Sequence, residues 1–195
     1  MIIGITGSIG AGKTTIAKLF SRHGYERIDA DEIAHGLLKK NSASYKKIIK
    51  EFGSEILDKS NNIDREKFGE IVFNDDAKLK KLNSITHPII INEIKKEIKK
   101  IRQKNKNAKI AVDAPLLFEA NAEDIVDKII VIKTSNNSVI SRNRKFTKGQ
   151  IENILKHQMP LEEKMKYADF MIENDRNFKH MEKQVIEIIK NLEQK

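Results

Sequence analysis

The sequence predicts an α/β fold: a doubly wound parallel sheet with an inserted helical region and a helical lid. Three observations carry that expectation. Ile2, Ile3 and Ile5 form an apolar strand that runs straight into a glycine-rich turn and then a helical pattern. Two later apolar runs, Ile110-Ala111-Val112-Asp113 and Ile129-Ile130-Val131-Ile132, fit short central parallel strands buried on both faces. Between the early strands and these runs, residues 32 to 105 read as helices almost throughout.

Taken in order, the first strand and turn lead to a helix over Thr15 to His23, stopped by Gly24. Tyr25-Glu26-Arg27-Ile28 is a short second strand ending at Asp29-Ala30-Asp31. Tyr45, Ile48, Ile49 and Phe52 then mark one apolar helix face, closed by Gly53. Ile56 and Leu57 enter a loop at Ser60-Asn61-Asn62, and Asp64 can cap a helix carrying Phe68, Ile71 and Val72. A further helix runs through Leu79 and Leu82, and Pro88 is placed to start the long helix that follows, to about Gln103, since proline suits a first turn. After the central strands comes a basic helical segment. Thr147 with Gln150 forms a capping-box signature for a helix to His157, and Pro160 opens another. Phe170-Met171-Ile172 is a last strand, and Val185, Ile188, Ile189 and Leu192 give the final helix its buried face. The chain is expected to be one domain over residues 1–195, with a helical acceptor-binding insertion at about 32–105 and a lid at about 138–160.

The turn after the first strand reads Gly7-Ser8-Ile9-Gly10-Ala11-Gly12-Lys13-Thr14, the G-x-x-x-x-G-K-[ST] pattern. Its strand-before, helix-after setting is the one the motif needs, and it makes the expected fold P-loop NTPase-type. Glycines let successive backbone N–H groups turn inward around an anion, and the helix N-terminus points at the same spot. Residues 7 to 15, from Gly7 through Ser8, Ile9, Gly10, Ala11 and Gly12 to Thr15, are therefore the expected cradle for ATP phosphates. Lys13 would neutralise the β/γ-phosphates and the Thr14 hydroxyl would ligate Mg²⁺. Asp113, at the end of an apolar strand, can hold the same Mg²⁺ through water.

Composition narrows the partners. A chain of 195 residues suits one α/β domain with an insertion, and the absence of cysteine removes disulfides and thiolate metal sites. No apolar run approaches a membrane span, and residues 1 to 6 lead directly into the loop, so a cytoplasmic protein is expected. The net charge of +9 invites a nucleic-acid reading, but 30 of the 37 basic residues are Lys and only seven are Arg, the residue preferred for bidentate contacts. Lys95, Lys96, Lys99 and Lys100 lie opposite a stripe of Ile91, Ile94, Ile98 and Ile101, the pattern of a helix showing its wet face. No specific nucleic acid is expected, and oligomeric state is left open.

Other motifs choose among loop-bearing enzymes. The N-K-x-D guanine reader of GTPases is missing, and Asp113 is followed by Ala114-Pro115 rather than by the second acid of a motor ATPase. An inserted helical block and a late basic segment fit a small-molecule kinase. At this level of detail the sequence resembles the dephospho-CoA kinase family. The matching stretches are GITGSIGAGKTT (4–15), IDADEIAHGLL (28–38), LNSITHP (82–88), VDAPLLFE (112–119), HQM (157–159) and ADFMIEND (168–175), in the family's order along nearly the whole chain.

The resemblance implies ATP-dependent phosphorylation of the ribose 3′-hydroxyl of dephospho-CoA. It assigns Asp31 to hydrogen-bond or deprotonate that hydroxyl, an alternative role being a helix N-cap before Glu32-Ile33-Ala34. Asp29 would be structural. Arg142 on the lid would reach the transferring phosphoryl oxygens, with Arg144 as a second candidate, because Arg142-Asn143-Arg144-Lys145-Phe146-Thr147 is shorter than the family's Arg-rich stretch and has no acid. His87 would help bind the CoA moiety, Pro115 to Glu119 would shape the acceptor pocket with Pro115 and Leu116 as its substrate-binding residues, and Asn174 lies where such kinases often meet the adenine. Competing expectations are another P-loop kinase, such as one acting on a nucleoside monophosphate, and a nucleic-acid-binding ATPase.

Overall fold

The computed structural model describes residues 1–40, 42, 44–135, 138–140 and 147–194. The chain divides into two compact units, one formed by Met1–Asp29 with Glu97–Lys195 and the other by Ala30–Lys96.

The first unit is built on a five-stranded parallel sheet: β1 (Ile2–Gly7), β2 (Tyr25–Asp29), β3 (Lys109–Asp113), β4 (Lys128–Lys133) and β5 (Phe170–Glu173). Their spatial order is β2-β3-β1-β4-β5, so the chain leaves β1 toward one edge and later passes it toward the other. The carboxyl end of such a central strand opens into the crevice where open α/β sheets take ligands. All six residues of β1 are buried, as expected for a strand covered on both faces. Helix α1 (Lys13–Arg22) and the C-terminal helix (Phe178–Glu193) share one hydrophobic cluster with Ile3, Ile5, Ile130, Ile132 and Ile172. Phe20 is wholly buried there, its ring 5.2 Å from that of Tyr25 in an edge-on contact. On β1, a Cβ at Gly4 would lie 3.1 Å from Leu117 Cδ2, so the small residue lets the segment after β3 press against the strand.

The second unit is helical: α2 (Ala30–Leu37), α3 (Tyr45–Phe52), α4 (Arg65–Phe73) and most of α5 (Asp76–Lys104). Ile48, Ile56, Ile63, Phe68 and Val72 form its own core, with Tyr45, Phe52, Leu82 and Ile85 packed around them. Gly53 ends α3 with φ 80°, and the Asp64 carboxylate caps α4 by accepting from Glu66 N and Lys67 N. The loop between them turns at Asn61, where Asp58 Oδ1 accepts from Ser60 N and Asn62 N, each at 2.8 Å.

One boundary differs from the sequence expectation. Pro88 does not start a helix; it lies inside the 29-residue helix α5, which joins the two helices predicted there. Proline's φ near −65° is already helical, so the ring removes one donor and crowds the Ser84 carbonyl without ending the helix. The apolar positions on either side, Leu79 and Ile94, stay buried and keep the helix continuous. The wet face appears as expected, with Lys95, Lys96, Lys99 and Lys100 exposed and Ile94 and Ile98 buried.

The first unit also carries the short helices α6 (Lys148–Lys156) and α7 (Leu161–Lys166), with the C-terminal helix as α8. The Thr147–Gln150 capping box is formed, Gln150 N reaching Thr147 Oγ1 at 3.3 Å and Thr147 N reaching Gln150 Oε1 at 2.9 Å. No helix among the described residues is long and apolar enough to cross a membrane.

A mid-helix proline is destabilising by about 3 kcal/mol relative to alanine in an exposed helix interior. Pro88→Ala is therefore expected to raise folding stability by about 1–3 kcal/mol, read as a higher urea midpoint in far-UV circular dichroism.

Candidate functional site

The loop from Gly7 to Thr14 owes its shape to neighbours that leave no room for side chains. Gly12 has φ 89°, and a Cβ there would fall 2.4 Å from Asn174 Nδ2. Gly7 has φ 149°, and a Cβ would sit 2.8 Å from the Ile132 carbonyl oxygen. Because Gly12 carries the turn, α1 begins at Lys13, two residues earlier than the sequence periodicity suggests. That places Lys13 and Thr14 on the first helical turn, where backbone N–H groups have no intrahelical acceptor.

Lys13 is 8% exposed, and its Nζ donates to Ser8 O at 2.7 Å and Gly7 O at 3.2 Å. The ammonium is thus held over the loop's own backbone. The Thr14 hydroxyl donates to Asp113 Oδ2 at 3.1 Å, joining the first turn of α1 to the end of β3. Asp113 is almost fully buried, and the same Oδ2 also accepts from Arg27 Nη2 at 2.9 Å. Arg27 Nη2 donates to Asp29 as well. Two acids and one guanidinium therefore meet beside Thr14, where β2 and β3 end in register.

Side chains from distant parts of the chain fix the loop, Thr134 among them through its hydroxyl on Ala11 O at 3.4 Å. Asn174 Nδ2 donates to Ala11 O at 2.8 Å, so this asparagine contacts the loop itself. Gln158 Oε1 accepts from Ile9 N at 3.2 Å. The segment around Gln158 is in turn tied to the stretch after β3. Met159 N donates to Glu119 Oε1 at 2.8 Å, and Lys164 Nζ lies 2.9 Å from the same oxygen. Lys164 Nζ also donates to Pro115 O at 3.0 Å, a carbonyl that accepts the Thr6 hydroxyl at 3.1 Å.

Of the residues expected from sequence, Gly7 to Thr15, Asp113 and Asn174 come together in the first unit, with Pro115 tied to β1 through Thr6 and Leu116 half-buried beside it. Asp31 and His87 belong to the second unit. Asp31 lies within the first turn of α2 rather than before it, so it is not that helix's N-cap. His87 sits mid-helix on α5, not at a helix start. Arg142 and Arg144 lie outside the described residues. Sequence reasoning missed Arg27 and Lys164 as site residues, while Glu119, expected to shape the acceptor pocket, holds the Lys164 ammonium and the Met159 amide. Arg27 alone carried a signal, since it alternates with Asp29 along a strand and so shares its face.

Geometrically, this is a cradle of backbone amides, one ammonium, and a hydroxyl–carboxylate pair suited to polyphosphate. Its frame depends on Lys164, which is completely buried against the 13% exposed Glu119 side chain. Removing one partner of a buried ion pair strands the other charge. Lys164→Met is expected to lower stability by about 3–5 kcal/mol, and adding Glu119→Gln should recover part of it, both measurable by urea unfolding.

Comparison with known proteins gives this geometry a family. The family model described as dephospho-CoA kinase matches residues 1–180. A dephospho-CoA kinase from Fusobacterium nucleatum is 41% identical over 189 residues, covering 95% of each chain. One from Carboxydothermus hydrogenoformans is 39% identical over 191 residues, covering 96% of this chain and 92% of its own. Among solved structures, the dephospho-CoA kinase from Campylobacter jejuni matches with a TM-score of 0.71 at 32% identity, covering 98% of this chain and 96% of its own. With the phosphate-binding loop, the sheet and the helical second unit all inside the matched span, the chain belongs to the dephospho-CoA kinase family.

Proposed function

We propose that this chain transfers the γ-phosphoryl group of ATP to the ribose 3′-hydroxyl of dephospho-CoA, producing coenzyme A and ADP in the last step of coenzyme A synthesis. The observation that carries the reading is the union of the Gly7–Thr14 loop with the Thr14–Asp113 contact at 3.1 Å, in a chain of this family.

Each residue has a physical task. Loop amides and the α1 N-terminus bind the phosphates, and the Lys13 ammonium moves from the loop carbonyls to the β/γ-oxygens, where charge accumulates. Thr14 would hold Mg²⁺, with Asp113 binding it through water. Hydroxyl and carboxylate oxygens are the hard ligands that this ion takes, so the donor set fits. When bound, the ion neutralises charge on the bridging oxygens. Asp31 receives or orients the proton of the attacking 3′-hydroxyl. Arg142, with Arg144 as the alternative, contributes positive charge to the transferring group from the lid, taken as residues 138–160. His87, Pro115 and Leu116 serve the acceptor side, and the insertion at 32–105 is its binding region. Asn174 supports the nucleotide side by holding Ala11 in place. Catalysis is then chiefly alignment and charge neutralisation.

Purified protein with ATP and Mg²⁺ should release ADP on addition of dephospho-CoA and not on addition of nucleoside monophosphates; the reverse pattern would transfer the assignment to a nucleotide kinase. Lys13→Ala is expected to lower kcat/KM by about 10²–10³-fold or more. Asp31→Asn should reduce kcat by about 10²–10⁴-fold while ATP affinity stays near normal, and unimpaired turnover would remove its proton-handling role.

A further inference from the structure

Asp29 and Asp113 are direct cross-strand neighbours at the carboxyl ends of β2 and β3. Like charges placed opposite one another repel. Arg27 lies two positions before Asp29 and therefore on the same face of β2. Its Nη2 is shared by both carboxylates, 2.9 Å from Asp113 Oδ2 and bonded to Asp29 as well. The Asp113 oxygen it holds is the one that accepts the Thr14 hydroxyl. The three side chains are mostly withdrawn from solvent, with Arg27 and Asp29 each 21% exposed and Asp113 4% exposed. Burial works against the guanidinium charge, but its hydrogen bonds to Asp113 and Asp29 and the charges of both more than offset this, holding its pKa above the ordinary arginine value. The cation is permanent.

We propose that Arg27 is an internal counter-cation that keeps the Asp29–Asp113 pair from capturing a free divalent ion, so that magnesium enters with the nucleotide's phosphates. This rests on the assignment of Thr14 and Asp113 to the magnesium of the bound nucleotide. With Arg27 in place one guanidinium offsets the two carboxylates, and the Asp113 oxygen nearest Thr14 already has two donors. Without it that positive charge is lost from beside two adjacent carboxylates, a change that strengthens their attraction for a hydrated divalent cation. Magnesium arriving on a triphosphate does not depend on that attraction, because Lys13 and the loop amides bind its phosphate ligands. Arg27 thus sets specificity for the metal–nucleotide complex over the metal alone, and favours a water-mediated rather than direct role for Asp113.

The test titrates MgCl₂ into nucleotide-free protein by isothermal calorimetry, alongside melting curves with and without MgCl₂. Arg27→Gln and Arg27→Met remove the charge, the glutamine keeping a hydrogen-bond donor. Both are expected to bind Mg²⁺ about ten-fold tighter or more than the unaltered protein, the scale of an unscreened charge a few ångströms away, and to gain melting temperature with Mg²⁺ where the unaltered protein gains little. Adding Asp29→Asn to Arg27→Gln removes one negative charge for the positive charge lost, leaving the net charge as it began, and should return affinity to near the starting value. Unchanged or weaker Mg²⁺ binding in whichever charge-removing variant folds overturns the proposal. A parallel titration with ATP and Mg²⁺ separates the two ideas. If the unaltered protein fails to bind the complex, the reading of the loop falls; if it binds while the Arg27 variants show no gain for Mg²⁺ alone, only the role of Arg27 falls.

Discussion

The register between β1 and its neighbour β3 sets Ile5 beside Asp113, and Ala114 N continues that ladder to Ile5 O at 3.0 Å. Everything at the site is measured from this alignment. A slip of one residue would turn Asp113 to the opposite face of the sheet and replace it with Val112 or Ala114. Thr14 would then lose its acceptor, and Arg27 one of the two acids it joins. The alignment is held by burial, since Ile110, Ala111 and Val112 are inaccessible and can exchange faces only by unpacking. A polar constellation is thus positioned by apolar strands that take no part in the chemistry.

The loop itself is fixed from outside. A backbone with three glycines loses more conformational freedom on ordering than an ordinary turn. Asn174 and Gln158 counter that tendency by bonding Ala11 O and Ile9 N from segments far away in sequence. Preorganisation of the amides before a phosphate arrives lets binding energy go into contacts rather than into ordering the chain. The same contacts tie the loop to the segment between α6 and α7, because Gln158 immediately precedes Met159, whose amide is held by Glu119.

Much of this was legible in the sequence where a pattern has a single physical meaning. Apolar runs such as Ile129–Ile132 are short and bounded, so they read as buried strands, and the glycine spacing before Lys13 has few uses other than an anion cradle. Pro88 misled because two rules compete: proline favours a first turn, yet its φ also suits a helix interior when the flanking apolar face is buried. Asp31 looked equally able to cap α2, and only the start of that helix at Ala30 removes the option. Lys164 gave no signal at all. In a chain with 30 lysines, nothing local marks this one for burial, and its partner Glu119 lies in another part of the fold. Asn174 could be located after β5 but not given a partner, since an amide at a loop can face a ligand or the protein with equal ease.

The burial of Lys164 has a chemical corollary. Most of the chain's amines stand in water and are open to acylating reagents, whereas this one is sealed between a carboxylate and two loops. An amine-directed label would spare it in the intact protein. Labelling of Lys164 would signal that α7 had come away from the stretch after β3, a local opening that bulk spectroscopy of the fold would not register.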